Sequence, residues 1–237
     1  MRRLLVITGA FVVLLLAASW FLGFWIPNEP SKIVYPVRGI DVSHHQGDIN
    51  WKEVAASGIQ FAYIKATEGA DFKDVDFDDN WNGARAAKIV PGAYHFYTFG
   101  TPAHTQANNF TAVVPQENRI LPPAIDLEIS GYNVTHSVPV TEFQSDFAIF
   151  FGILQAVYHQ TPAIYTTREF ATQYLNGMPF ERFWVREIVK GPAIVNGQPW
   201  IFWQFSERGR VRGISGYADM DVFRGDRAEF ETLQSKR

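Results

Sequence analysis

From Val37 onward, short apolar runs alternate with longer amphipathic ones, and this alternation limits the fold more than any other feature of the chain. A strand, a helix and a second strand form a parallel crossover unit. Eight strand candidates in such an order predict a closed or nearly closed barrel. The first four strands are expected at residues 39–42, 61–66, 90–97 and 122–127. The last four are expected at 163–165, 183–185, 200–203 and 218–222, with little helix between the final three. Helices are expected from Trp51, over 77–88, over 104–113 and over 140–159; the last carries Phe143, Phe147, Phe150, Phe151 and Leu154 near three-to-four spacing. Asn50 is placed to cap the helix at Trp51, with Glu53 as its capping-box partner and Gly58 to end it. The 237 residues suffice for one such barrel, whose chemistry would sit at the C-terminal ends of its strands.

The first 36 residues have another character. Residues 1–3 bear Arg2 and Arg3, and an uncharged run follows over 4–26. As one helix that run would rise roughly 34 Å, enough for a hydrocarbon core of about 30 Å. The arginines favour an N-terminus in the cytoplasm, and Trp20 and Trp25 suit the far interface. The expectation is a single-pass transmembrane anchor, a linker over 27–36 rich in proline, and a domain over 37–237 on the extracytoplasmic side. The rival reading is a signal peptide cut near Ala17-Ala18-Ser19, which would release a secreted domain.

Net charge is −3, so a basic nucleic-acid surface is not expected. With no cysteine in the chain, disulfides, thiol catalysis and cysteine-ligated metals are excluded. A serine hydrolase is not supported, because no G-x-S-x-G elbow accompanies Ser43. A phosphate-binding glycine loop is absent too.

Asp126 and Glu128 stand two residues apart at the end of the fourth strand candidate, so both carboxylates point to one face. Close carboxylates repel, and one could hold its proton at neutral pH while the other ionises. Glycoside cleavage uses such a pair, one acid protonating the leaving oxygen and one carboxylate managing the developing cation. Rim acids or metal ligands can show the same spacing. Asp41 precedes Ser43-His44-His45-Gln46, which invites a metal reading, but adjacent histidines on an extended segment point to opposite faces. No metal and no cofactor are expected. Asp219 and Asp221 repeat the two-residue spacing on the last strand candidate, which would lie beside the first if the sheet closes.

Taken together, these motifs resemble glycoside hydrolase family 25, the CH-type lysozymes. The resemblance runs through residues 39–47 and 49–51, then 61–69, 92–97, 125–128, 164–166, 203–205 and 219–223, in the same order. It implies a flattened TIM-like (β/α)5(β)3 barrel. It also implies hydrolysis of the β-1,4 bond between N-acetylmuramic acid and N-acetylglucosamine in peptidoglycan glycan strands. By that resemblance Glu128 is the proton donor, Asp126 its partner carboxylate, and Asp41 and Asp219 further acids of the pocket. Tyr94, Tyr165, Trp203 and Gln204 fall in motifs that line the groove. One stretch departs: the family usually reads Trp, an apolar residue, Ala, any residue, Tyr, where this chain has Trp184-Val185-Arg186-Glu187-Ile188. The competing functions are an inactive peptidoglycan-binding protein on the same fold and a glycosidase for another N-acetylated polysaccharide.

Overall fold

The computed structural model describes residues 2–192 and 197–234. Its centre is an eight-stranded barrel made of β1 (Arg38–Val42), β2 (Phe61–Glu68), β4 (Val90–Phe96), β5 (Ala124–Leu127), β6 (Ala163–Thr167), β7 (Phe183–Arg186), β8 (Trp200–Gly209) and β9 (Ala218–Phe223). Neighbours from β1 round to β8 are parallel, while β9 is antiparallel to both β8 and β1 and closes the ring. Five helices cross between the six barrel strands from β1 to β7: α2 (Trp51–Ala56), α3 (Phe77–Ala86), α4 (Ala103–Val113), α5 (Val140–Tyr158) and α6 (Arg168–Tyr174). No helix separates β7, β8 and β9 among the described residues, as the order of sequence motifs implied.

Strand alternation sorts the side chains into two apolar layers. Ile40, Val42, Ile64, Ile125, Leu127, Ile164 and Val185 face outward and pack with Phe143, Phe147 and Phe150 of α5. Phe61, Tyr63, Ala124, Ala163, Tyr165, Trp184, Phe202 and Phe223 fill the interior. There Tyr63 stacks on Trp184 with ring centroids 4.6 Å apart. The barrel floor is thus a plug of aromatic rings, and the groups above it can only sit at the mouth.

Local signals place the elements well. Asn50 caps α2 by accepting from the Glu53 backbone N–H at 3.4 Å, and Gly58 follows with φ +90°. The reciprocal half of the capping box does not form, because the Asn50 N–H donates to the Gly213 carbonyl at 2.8 Å. One strand and two α-helices escape the sequence reading: the two-residue β3 (Phe72–Lys73) on the edge of β2, α6, and α7 (Arg227–Leu233). Each of them is too short for a periodic signal.

The N-terminal region departs from expectation. Helix α1 covers Arg2–Phe21 and does not continue to Ile26. Its uncharged part, residues 4–21, rises about 27 Å, and among the described residues no helix is long and apolar enough to cross a membrane. The chain turns at Gly23 (φ +73°), where a side chain would collide with the Arg208 carbonyl. Arg208 and Tyr217 donate to the Phe21 carbonyl at 3.2 and 3.3 Å, and Arg210 donates to the Leu22 carbonyl at 2.6 Å. These donors satisfy carbonyls that a helix end leaves without partners. The stretch expected as a free linker is also tied down. Arg38 pairs with Glu29 at 2.6 Å and donates to the Pro30 carbonyl at 3.0 Å, while Tyr35 packs on Trp200 and Trp203.

Candidate active site

Strand β5 carries Asp126 toward the interior and delivers Glu128 just past the strand end, on the same side. The loop that follows is locked by Asn133. Its amide donates to the Tyr97 carbonyl at 2.8 Å and the Glu128 carbonyl at 3.1 Å, and its oxygen accepts from the Phe99 N–H at 2.8 Å. Ser130 donates to Glu128 Oε1 at 2.8 Å. Asp126 is buried, and its Oδ1 has no hydrogen-bond partner among the described residues.

Barrel closure brings a second set of acids to the same mouth. The β1–β9 register places Asp41 opposite Asp219 and Gly39 opposite Asp221. Asp41 Oδ2 accepts from Gln204 at 3.1 Å, and Gln204 in turn accepts from the Tyr165 hydroxyl at 2.8 Å. Asp221 lies deeper, fully buried, and accepts from the Trp184 indole N–H at 2.7 Å.

Burial, reinforced by crowding, raises the proton affinity of all five acids. Burial first, and then Asp221, hold Asp41 well above the usual carboxylate range. Burial and the neighbouring Glu128 and Asp41 do the same for Asp126. Asp219 is raised by burial and Asp41, and Asp221 is pushed up to about 8, chiefly by burial. Glu128 is raised by burial but restrained by Ser130, Arg186 and Lys65. Negative charges this close cannot all coexist away from water, so protons are shared among them. Burial also keeps the phenols of Tyr94 and Tyr165 neutral, with the acids adding to the effect.

The structure brings Asp41, Asp126, Glu128 and Asp219 to one mouth, with Tyr94, Tyr165 and Gln204 beside them. Trp203 does not join them. Alternation along β8 sends it outward, where it is buried against Tyr35 and Trp200 and donates to the Glu187 carbonyl at 2.8 Å. The histidines are used locally. His44 Nδ1 lies 2.7 Å from Asp74, and Ser43 and Gln46 close a capping box around the turn 44–46. Among the described residues no group of three or more histidines or acids is arranged to hold a metal ion.

Two cations stand at the mouth: Lys65, which the sequence reading did not single out, and Arg186, which it noted as a departure from the family pattern. Lys65 on β2 donates to Glu68 at 2.6 Å, with its ammonium over the Phe72 and Phe96 rings. Arg186 on β7 pairs with Glu207 on β8. The signal for Arg186 was its two-residue step from the inward-facing Trp184.

Comparison with known proteins agrees with this geometry. The profile of Glycosyl hydrolases family 25 matches residues 40–214. Lysozyme M1 of Streptomyces globisporus is 38% identical over 208 residues, covering 83% of this chain and 71% of that protein. The crystal structure of a bacterial lysozyme from Streptomyces coelicolor is similar at TM-score 0.77 and 38% identity, covering 83% of this chain and 96% of the other. A family 25 glycosyl hydrolase from Bacillus anthracis superposes at TM-score 0.80 with 33% identity, covering 85% and 94%. The chain belongs to glycosyl hydrolase family 25.

Proposed function

We propose that this protein is a lysozyme that hydrolyses the β-1,4 bond between N-acetylmuramic acid and N-acetylglucosamine in peptidoglycan. The observation that carries the reading is the convergence of Asp126 and Glu128 at the end of β5 with Asp41 and Asp219 across the mouth. Glu128 protonates the glycosidic oxygen. It is half-buried, and burial raises its proton affinity, so it holds a transferable proton to higher pH than a free carboxylate does.

Asp126 orients the 2-acetamido group of the sugar as its oxygen attacks the anomeric carbon, giving retention without a sugar–enzyme bond. Such substrate assistance is a recognised departure from the carboxylate-nucleophile scheme. Burial raises the proton affinity of both Asp126 and Glu128, so the two acids compete for a proton. An acetamido N–H donated to the unpartnered Oδ1 would favour the Asp126 anion and pass the shared proton to Glu128. Tyr94, Tyr165 and Gln204 line the groove, and Trp203 supports it from behind.

Peptidoglycan lies outside the cytoplasmic membrane, so the domain works on the extracytoplasmic side. We place the N-terminal apolar run at that membrane. Sedimentation with membranes after alkaline carbonate washing tests this placement, and a mature N-terminus near Trp20 would replace it with secretion.

Purified peptidoglycan and chitin oligomers, offered separately and followed by identification of the new reducing ends, test the activity. Muramic acid at the new ends is the expected result. Cleavage of chitin alone, or of neither polymer, would overturn the reading. NMR of the first-formed anomer before mutarotation tests the mechanism, and an α product would mean inversion.

A further inference from the structure

Arg186 stands where the family pattern has a small residue, and nothing in the two-carboxylate chemistry calls for a guanidinium there. It alternates with the inward-facing Trp184 and therefore points into the mouth from the end of β7. Glu128, Tyr165 and Asp219 all lie within its electrostatic reach. Its Nε and Nη2 both engage the same Glu207 oxygen, and no bond is made by Nη1 among the described residues. A guanidinium is a planar fork of five donors suited to carboxylates. Glu207 holds one edge and leaves the other open over a half-buried groove wall.

The neighbourhood makes this placement selective. Asp41, Asp126, Glu128 and Asp219 crowd the same mouth, and the negative charge they retain disfavours an anionic substrate group unless a cation receives it. Lys65, on the opposite wall, already has Glu68 and two aromatic rings around its ammonium.

Resting on the muramidase reading above, we propose that the open edge of Arg186 is a carboxylate subsite, a specificity-determining contact for an acidic group carried by the muramic acid unit. Two groups offer this chemistry. One is the 3-O-lactyl carboxyl, which is free only when no peptide is attached. The other is a carboxylate of the attached peptide. If the lactyl group is the ligand, an amide-hydrolysing step that strips the peptide supplies the preferred substrate.

Binding is measured by titration calorimetry on the full chain carrying Glu128→Gln, which holds substrate without the donor proton. Three ligands are compared: peptide-free glycan oligomers, the same oligomers methyl-esterified, and peptide-bearing oligomers. Adding Arg186→Ala should weaken one free-carboxylate ligand about tenfold, the scale of one charge-assisted hydrogen bond at a partly exposed site. It should leave the ester unchanged, and Arg186→Lys should recover part of the loss. Loss with the peptide-free acid identifies the lactyl group, and loss with the peptide-bearing ligand alone identifies the peptide. Equal loss on acid and ester, or no loss on any ligand, overturns the subsite and reduces Arg186–Glu207 to a surface ion pair. Residual cleavage by Glu128→Gln would count against the assigned proton donor while the acid-against-ester comparison still reads Arg186.

Discussion

The mouth of the barrel holds two groups of acids that look alike in sequence and differ in surroundings. Asp126 and Glu128 on β5 lie near cations, and Glu128 has a hydroxyl donor, an open side toward solvent and a rigid loop behind it. Asp41, Asp219 and Asp221 lie on β1 and β9 and depend mainly on one another, with Gln204 and Trp184 as neutral partners. The first arrangement permits a proton to move to a bound sugar. The second shares its protons within the group, because each acid lies against another and neutral donors solvate a charge less well than water. Two-residue acid spacing therefore does not identify a catalytic pair. The hydroxyl donor on Glu128 and the Asn133-held loop behind it distinguish the two.

The largest expected effect breaks this comparison on the β5 side. Glu128→Gln keeps the shape and removes the transferable proton, so kcat on peptidoglycan should fall by roughly 10²–10⁴. Asp126→Asn removes the negative charge beside the developing cation and should cost about 10²–10³. Asp41→Asn and Asp219→Asn should cost clearly less, since an amide can still donate within the β1–β9 group. Initial rates on soluble glycan oligomers check this order. Equal losses in both groups would show that the five acids act as one unit. The pH profile sharpens the test. A donor with raised proton affinity is lost as pH rises through its own titration, so kcat should decline on the alkaline side. Arg186→Ala removes an influence that lowers the Glu128 affinity, and should move that decline to higher pH.

How far the sequence revealed this site follows from the range of each signal. Asp126 and Glu128 were legible because alternation within one strand is local. Asp41 and Asp219 were legible once closure of the sheet was assumed, since β9 returns beside β1. The outward direction of Trp203 was not legible, because it depends on the phase of β8, which carries register shifts against both neighbours. Nor were the Arg186–Glu207 pair and the docking of residues 21–35. These are contacts between elements far apart in the chain, with no periodic pattern to announce them. The apolar run over 4–26 read as one helix because hydropathy does not register a turn at Gly23 that is held by arginines nearly 190 residues away.

A smaller effect belongs to the β1–β9 group and concerns stability. Asp221 keeps its proton in the fold up to about pH 8, while an unfolded chain releases it near the usual carboxylate value of 3.8. Between those limits the folded state binds more protons, so stability falls as pH rises. His95 has the opposite sign. Burial lowers it from 6.5 to about 4, so the unfolded chain binds the extra proton and stability rises with pH across that window. The two oppose each other below pH 6.5, and the acids act alone above it. Tm should therefore decline between pH 6.5 and 8, and Asp221→Asn should flatten that decline. A Tm constant over this range in the unsubstituted protein would mean that Asp221 ionises freely in the fold.

The smallest effect tests whether β1 depends on the segment that precedes it. Arg38 opens β1 three residues before Asp41 and is 7% exposed. Its partners Glu29 and Pro30 both lie upstream of Ser31. A chain beginning at Ser31 keeps every acid at the mouth but leaves that buried guanidinium without these two acceptors. Leaving a buried charged donor unsatisfied costs roughly 1–3 kcal/mol, reduced here because Glu29 is half-exposed. A chain beginning at Pro27 retains both acceptors and should melt at a higher temperature than the Ser31 chain. The two should show the same kcat on soluble glycan oligomers, because the β5 pair is positioned by Asn133 and Ser130 and not by β1. Equal melting temperatures would show that water replaces both acceptors without loss. A lower kcat in the Ser31 chain would show that the start of β1 reaches the β5 pair through Asp41, and the two acid groups would then have to be treated as coupled.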